Sequence, residues 1–181
     1  GEGLQHEDGH SHVLASTVPN LKSYDPAFSF ELAVIVRDGI YRMYELQENI
    51  FYYLTVYNEN YVMPAMPPGE AVQEGIIRGA YCWQRSHSKG EPVHLLASGS
   101  IMQEAIAAAA SLEAMGYAAH IWSVTSFTEL VRDAETCERH NRLQPLAEPQ
   151  VPYIQSLFAG ESGPMIAVSD YMKALPNGIA R

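Results

Sequence analysis

Residues 92–139 read PVHLLASGSIMQEAIAAAASLEAMGYAAHIWSVTSFTELVRDAETCER, and this stretch decides the fold. Residues 92–97 are a short apolar run of strand character. Ser98-Gly99-Ser100 is a turn and a cap. Residues 101–115 are an alanine-rich helix, stopped by Gly116, since glycine takes the left-handed conformation that ends helices at low cost. Residues 118–124 are a second strand. Ser126 and Glu129 stand three apart at the head of the next helix, spaced so that each side chain can satisfy the other's free backbone amide. That helix runs from 127 to about 139. Strand, helix and strand at this length give a parallel pair joined by a right-handed crossover, and the class is α/β.

The pattern weakens away from this centre. Downstream, residues 151–159 read as a short helix and 164–169 as a further strand. Upstream, residues 75–85 alternate loosely, as a strand leading into the second unit would. Residues 58–74 contain Pro64, Pro67 and Pro68 among turn-forming residues and read as a linker. A domain boundary belongs there. Residues 50–57 are aromatic and β-branched and predict a buried strand. In 27–44, Phe28, Leu32, Ile35, Val36, Ile40 and Met43 recur at helical spacing, with Asp25 as the N-cap and Pro26 at the first helical position. Residues 13–24 suit a short extended piece, and residues 1–12 a polar loop. No internal repeat is visible.

The chain has 181 residues, is 47% hydrophobic and carries a net charge of −10. An acidic chain of this kind lacks the lysines and arginines that neutralise phosphates, so nucleic acid is not an expected partner. No apolar run reaches membrane-spanning length, so no membrane is expected either. The N-terminus has no signal-peptide character. Cys82 and Cys137 lie far apart and outside any CxxC, which suits reduced thiols better than a disulfide. A cytoplasmic setting follows. The chain opens on Gly1-Glu2-Gly3 and closes on Ile179-Ala180-Arg181 in a helical pattern, so a piece of a longer protein is expected.

The residues fittest for chemistry lie in GEGLQHEDGHSH, residues 1–12. His6, His10 and His12 are interleaved with Glu2, Glu7 and Asp8. Histidines exchange protons near neutral pH, and a neighbouring carboxylate fixes their tautomer. His6, Asp8, His10 and His12 are acceptable metal ligands, but spacings of two match no zinc pattern, and no metal is expected there. Ser98-Gly99-Ser100 could present amides to an anion at a strand-to-helix turn. With no full glycine fingerprint around it, capping is its expected role. Asn58-Glu59-Asn60-Tyr61, with the Met- and Pro-containing stretch after it, reads as a contact between domains or subunits.

Longer stretches carry a resemblance. GEGLQHEDGHSH, SYDPAFSFELAVIVRDGIYRMYE, QENIFYYLTVYNENYVMPAMP, EGIIRGAYCW and LLASGSIMQEAIAAAASLEAMGYAAHIWSVTSFTELVRDAETCERHNRL follow one another, with VPYI and SDYMKALP behind them. Together they resemble the homodimeric pyruvate dehydrogenase decarboxylating component, which depends on thiamine diphosphate. Residues 42–48 are slightly shorter than in some relatives, and position 63 is Met, neither of which touches the loop.

The resemblance implies a transketolase-like architecture with a largely parallel sheet. Residues 1–60 would be the end of the aminopyrimidine-binding domain, 61–74 the linker, and 75–181 an incomplete C-terminal domain. Glu2 and His6 fall on the family's active-site Glu and His. The His would face the substrate end of the thiazolium and hydrogen-bond the pyruvate carboxylate, with the Glu supporting its network. The diphosphate, pyrimidine and Mg2+ sites would lie outside these residues, so the isolated chain should bind no cofactor tightly and be inactive. Implied partners are pyruvate, the lipoyl domain of a dihydrolipoyl acetyltransferase, and a second subunit of a homodimer. The alternatives are a related 2-oxoacid or transketolase-like enzyme and a non-catalytic α/β binding or dimerisation module.

Overall fold

The computed structural model describes residues 8–180. The chain runs α1 (Ser11–Ser16), β1 (Leu21–Tyr24), α2 (Ser29–Ile40), β2 (Phe51–Leu54), α3 (Glu70–Arg78), β3 (Tyr81–Gln84), β4 (Pro92–Ala97), α4 (Met102–Ala114), β5 (Ala118–Ser123), α5 (Phe127–Leu143), α6 (Tyr153–Leu157), β6 (Met165–Val168) and α7 (Ala174–Asn177). Strands β3-β5-β4-β6 form one sheet in that order, and β1 and β2 form a second, two-stranded one.

β4 and β5 pair in parallel from Pro92↔Ala118 to Ala97↔Ser123, as the strand–helix–strand reading requires. β6 adds in parallel on the other side of β4, and β3 is antiparallel to β5. Both faces of this sheet are covered. Val93, Leu95, Ala97, Ala119 and Ile121 face Met102, Ala105 and Ala109 of α4. Leu96 and Trp122 face Phe127 and Leu130 of α5 and Leu175 of α7. The alternation within β4 is the two-residue period of a strand, and burial on both sides explains why His94 is its only polar side chain. Gly116 ends α4 with φ +94°, as the sequence predicts. Ser126 Oγ accepts from the Glu129 amide at 3.1 Å. The Glu129 carboxylate does not return to the cap. It pairs with Lys22 at 2.5 Å and Arg132 at 3.1 Å.

Four local expectations change. Residues 11–16 are helix and not extended chain, because Asp8 Oδ1 accepts from the His10 and Ser11 amides at 3.0 and 2.9 Å and so starts a turn. Asp25 does not cap α2, which begins at Ser29. β2 is not buried: Phe51 is 45% exposed and Tyr53 36%, since β1 is its only neighbour in the sheet. Residues 70–78 are helix, where a linker end and a strand are predicted. There Gly75 leaves room for Tyr81, whose Cβ would lie 2.7 Å from a glycine-to-alanine methyl, and Gly79 closes the helix at φ +110°. Residues 55–69 carry no helix or strand, so the strand ends before 55–57 and the irregular stretch stops short of 74. Cys82 and Cys137 are free.

The first part of the chain is bound tightly to the second. The Asp25 amide donates to Thr125 O at 2.8 Å, Ser126 Oγ to Ser23 O at 2.6 Å, and Tyr24 Oη to Ile77 O at 2.8 Å. Glu31 is the centre of this junction. It is fully buried and accepts four hydrogen bonds: from the amides of Ala27 (2.6 Å) and Phe28 (3.0 Å), from Tyr81 Oη (2.7 Å) and from Ser123 Oγ (2.6 Å). Burial raises its pKa, and the donors oppose that rise. Removing the carboxylate orphans four donors at once, each costing about 1–3 kcal/mol when buried. Glu31→Ala should therefore destabilise the chain by at least about 3 kcal/mol in urea unfolding. A loss under about 1 kcal/mol would contradict this account of the junction.

Candidate functional site

β1, β2, β4 and β6 are parallel within their sheets, and the residues just past their carboxyl ends come together. Asp25 follows β1, Thr55 and Tyr57 follow β2, Ser98 and Gly99 follow β4, and Asp170 and Tyr171 follow β6. The carboxyl ends of parallel strands are where α/β folds place their ligands, because the following loops converge there.

Asp25 is the hub. It is 4% exposed, and its Oδ1 accepts from Thr55 Oγ1 at 2.6 Å and Tyr57 Oη at 3.0 Å. Tyr57 Oη lies 3.3 Å from Tyr171 Oη. Gly99 stands against the carboxylate with φ +52°, its amide 3.1 Å from Asp25 O. A side chain there would put its Cβ 2.7 Å from Asp25 Oδ2, so glycine is required on both counts. Asp25 Oδ2 and Ser98 Oγ are both buried and neither forms a hydrogen bond. Burial pushes the Asp25 carboxyl up to about 6. The hydroxyls of Thr55 and Tyr57 act against this, and the Asp170 charge adds to it.

Gly9 and His12 of the histidine-rich segment meet this hub. His12 is 3% exposed, its Nε2 3.0 Å from Thr55 Oγ1. Tyr171 and Tyr53 make T-shaped contacts with its ring at centroid distances of 4.9 and 5.5 Å. Burial drops the His12 pKa to about 4, against the pull of the Asp8 charge. The Met172 amide donates to Gly9 O at 3.1 Å, fastening the loop to the segment after β6. His10 is exposed. Glu2 and His6 lie outside the described residues.

Among the described residues no group of three His, Cys, Asp or Glu side chains is placed to hold a metal ion. No helix among the described residues is long and apolar enough to cross a membrane. The Ser98-Gly99-Ser100 turn serves the hub through Ser98 and Gly99. Tyr61 packs against the core and donates to Ala27 O at 2.5 Å, whereas Asn58, Glu59 and Asn60 before it are exposed. A second imidazole cluster is structural. His94 Nδ1 accepts from Trp122 Nε1 at 3.0 Å, and its Nε2 lies 2.9 Å from Ser162 O, so both nitrogens are committed.

Sequence reasoning finds the loop but misses Asp25, Thr55, Tyr57 and Tyr171 as site residues. The available signal was a carboxylate, a threonine and a tyrosine falling directly after strands.

The comparisons with known proteins agree with this layout. Residues 1–64 match the family described as pyruvate dehydrogenase E1 component middle domain, and residues 79–181 the transketolase-like TK C-terminal domain. The chain is 52% identical over 175 residues to the pyruvate dehydrogenase E1 component of Pseudomonas aeruginosa, covering 96% of this chain and 20% of that protein. It is 51% identical to the component of the same name from Escherichia coli, covering 96% and 19%. The chain thus spans about a fifth of the length of these curated relatives. Among solved structures, transketolase from Leishmania mexicana superposes with a TM-score of 0.55 at 18% identity, over 90% of this chain and 20% of that one. A Pichia stipitis transketolase gives 0.54 at 15%, over 97% and 25%. At such identities these structures show the fold.

Because Asp25 favours its proton in the folded state, its contribution to stability is full below about pH 4 and is lost as pH rises through about 6. The loss reaches about 3 kcal/mol at most. Asn mimics the neutral acid. Asp25→Asn should therefore be at least as stable as the unsubstituted chain at pH 7 and above, with that advantage gone below pH 4 in thermal melts across pH. Strong destabilisation of Asp25→Asn at pH 7 would show that the carboxylate makes contacts that an amide cannot replace, and that its burial does not weigh against its charge.

Proposed function

This chain belongs to the transketolase-like family, as a fragment of the pyruvate dehydrogenase E1 component kind, and we propose that its parent enzyme decarboxylates pyruvate and passes the acetyl group to a lipoyl group. The observation that carries this reading is an unbroken match, at about half identity over 96% of the chain, to proteins named for that component. Residues 1–60 are then the end of the aminopyrimidine-binding domain, 61–74 the connection, and 75–181 an incomplete C-terminal domain. The parent works in the cytoplasm as a homodimer, with thiamine diphosphate and Mg2+ held mainly by residues outside this chain. Its macromolecular partner is the lipoyl domain of a dihydrolipoyl acetyltransferase. When bound, thiamine diphosphate supplies the electron sink that decarboxylation of a 2-oxoacid needs.

What this chain contributes is the GEGLQHEDGHSH loop. His6 is a hydrogen-bond donor to the pyruvate carboxylate, and Glu2 supports the network that orients it. Fixed donors aimed at developing negative charge lower a barrier because they need no reorganisation as the charge appears. The loop needs a rigid floor for this, and the buried polar hub beneath its visible end suits that role.

In the full-length parent, His6→Ala should slow pyruvate decarboxylation by about 10²-fold or more, the usual scale for removing one positioned donor. Affinity for thiamine diphosphate should stay nearly unchanged. Single-turnover kinetics with pyruvate and a cofactor titration read the two separately. Normal turnover, or a defect confined to cofactor affinity, would misplace His6.

A further inference from the structure

We infer that His12 is a positioning residue for the histidine-rich loop, held in one tautomer by Thr55, which Asp25 orients in turn. This rests on the reading above, that the loop belongs to the substrate site. Thr55 has one hydroxyl proton. Its Oγ1 lies 2.6 Å from Asp25 Oδ1 and 3.3 Å from Tyr24 O, both of which take that proton and neither of which competes to donate. Toward His12, 3.0 Å away, Thr55 can therefore only accept. The proton of the neutral ring must sit on Nε2, leaving Nδ1 bare. Tyr171 and Tyr53 add T-shaped contacts that favour this position of the ring.

The loop is thereby tied to three strand ends. Asp25 and Thr55 hold it through His12 at the ends of β1 and β2, and the Met172 amide holds Gly9 O beyond β6. The charged or titratable groups facing this arrangement are Asp8 on the loop's own segment, Asp25 after β1, Tyr53 and Tyr57 on and after β2, and Asp170 and Tyr171 after β6. No cation faces the ring among them, and burial keeps it neutral. His12 is six positions from His6. On the reading above, a shift at His12 would displace the group proposed to meet the substrate, and misplacement by about 1 Å can cost on the order of 10²-fold in rate.

Two measurements test this. The first is nitrogen-15 NMR of the 181-residue chain with labelled histidine. It should show His12 as the neutral Nε2–H tautomer from pH 5.5 to 8, and Thr55→Val should abolish that fixed state. An Nδ1–H tautomer, or an imidazolium in that range, would overturn the inference whatever the enzyme does. The second is kinetics of the full-length parent. Thr55→Val keeps the side chain's shape but removes the acceptor, and kcat for pyruvate should fall by about 10-fold or more with cofactor affinity unmoved. Thr55→Ser should restore it. His12→Gln, whose amide can donate to Thr55, should retain more activity than His12→Ala. Thr55→Ser as impaired as Thr55→Val, or His12→Ala turning over normally, would sink the idea. Should Thr55→Val fail to fold, the His12 pair and Thr55→Ser still decide. A parent that does not decarboxylate pyruvate at all refutes the proposed function instead, leaving the tautomer as the test of the geometry.

Discussion

The buried carboxylate of Glu31 is the constraint on which the rest of this structure depends. A carboxylate taken out of water is costly unless its lone pairs are satisfied. Here two backbone amides at the entrance to α2 and two hydroxyls from the four-stranded sheet satisfy them. One group thus fixes where the chain leaves β1, where α2 begins, and how both sit against β3 and β5. Ala27 and Phe28, whose amides it holds, pack into the same core as Val93, Leu95 and Met102.

That fixed relation sets the site. With β1 placed against the end of β5, Asp25 arrives beside Gly99 at the head of α4, and Thr55 beside Asp25. His12 can then rest on Thr55. Hydrophobic burial supplies most of the stability of such a fold, but the placement of His12 is set by this short chain of polar contacts. The face of the two-stranded sheet and of α2 remains open: Val36, Ile40, Tyr41, Tyr44, Phe51 and Tyr53 are exposed. A two-stranded sheet cannot cover residues of this kind by itself, in keeping with a chain that spans about a fifth of its relatives' length.

The half of the fold built on parallel strands was legible in the sequence. Strands buried on both faces read as continuous apolar runs, and Gly116 and Ser126 mark helix ends by local chemistry. Glu2 and His6 were legible as candidates only through composition and resemblance. Asp25 was misread because an Asp-Pro pair before an apolar periodicity looks the same whether the carboxylate caps a helix or sinks into a core. What distinguishes the two is Thr55, thirty residues on, and Gly99 further still. β2 was misread as buried because aromatic and β-branched residues promise a strand but not a neighbour on each face. Residues 70–78 were misread because Gly75 and Gly79 suggest interruption, whereas Gly75 is inside a helix for close packing against Tyr81.

The most direct test of this account is amide hydrogen exchange at Ala27 and Phe28, the two amides bound by Glu31. If that junction holds both parts of the chain together, these amides exchange only by global unfolding, with protection equal to that of the β4 and β5 core. Exchange orders of magnitude faster than in those strands would mean that the junction opens locally, and that the polar hub beneath the loop is not held as described.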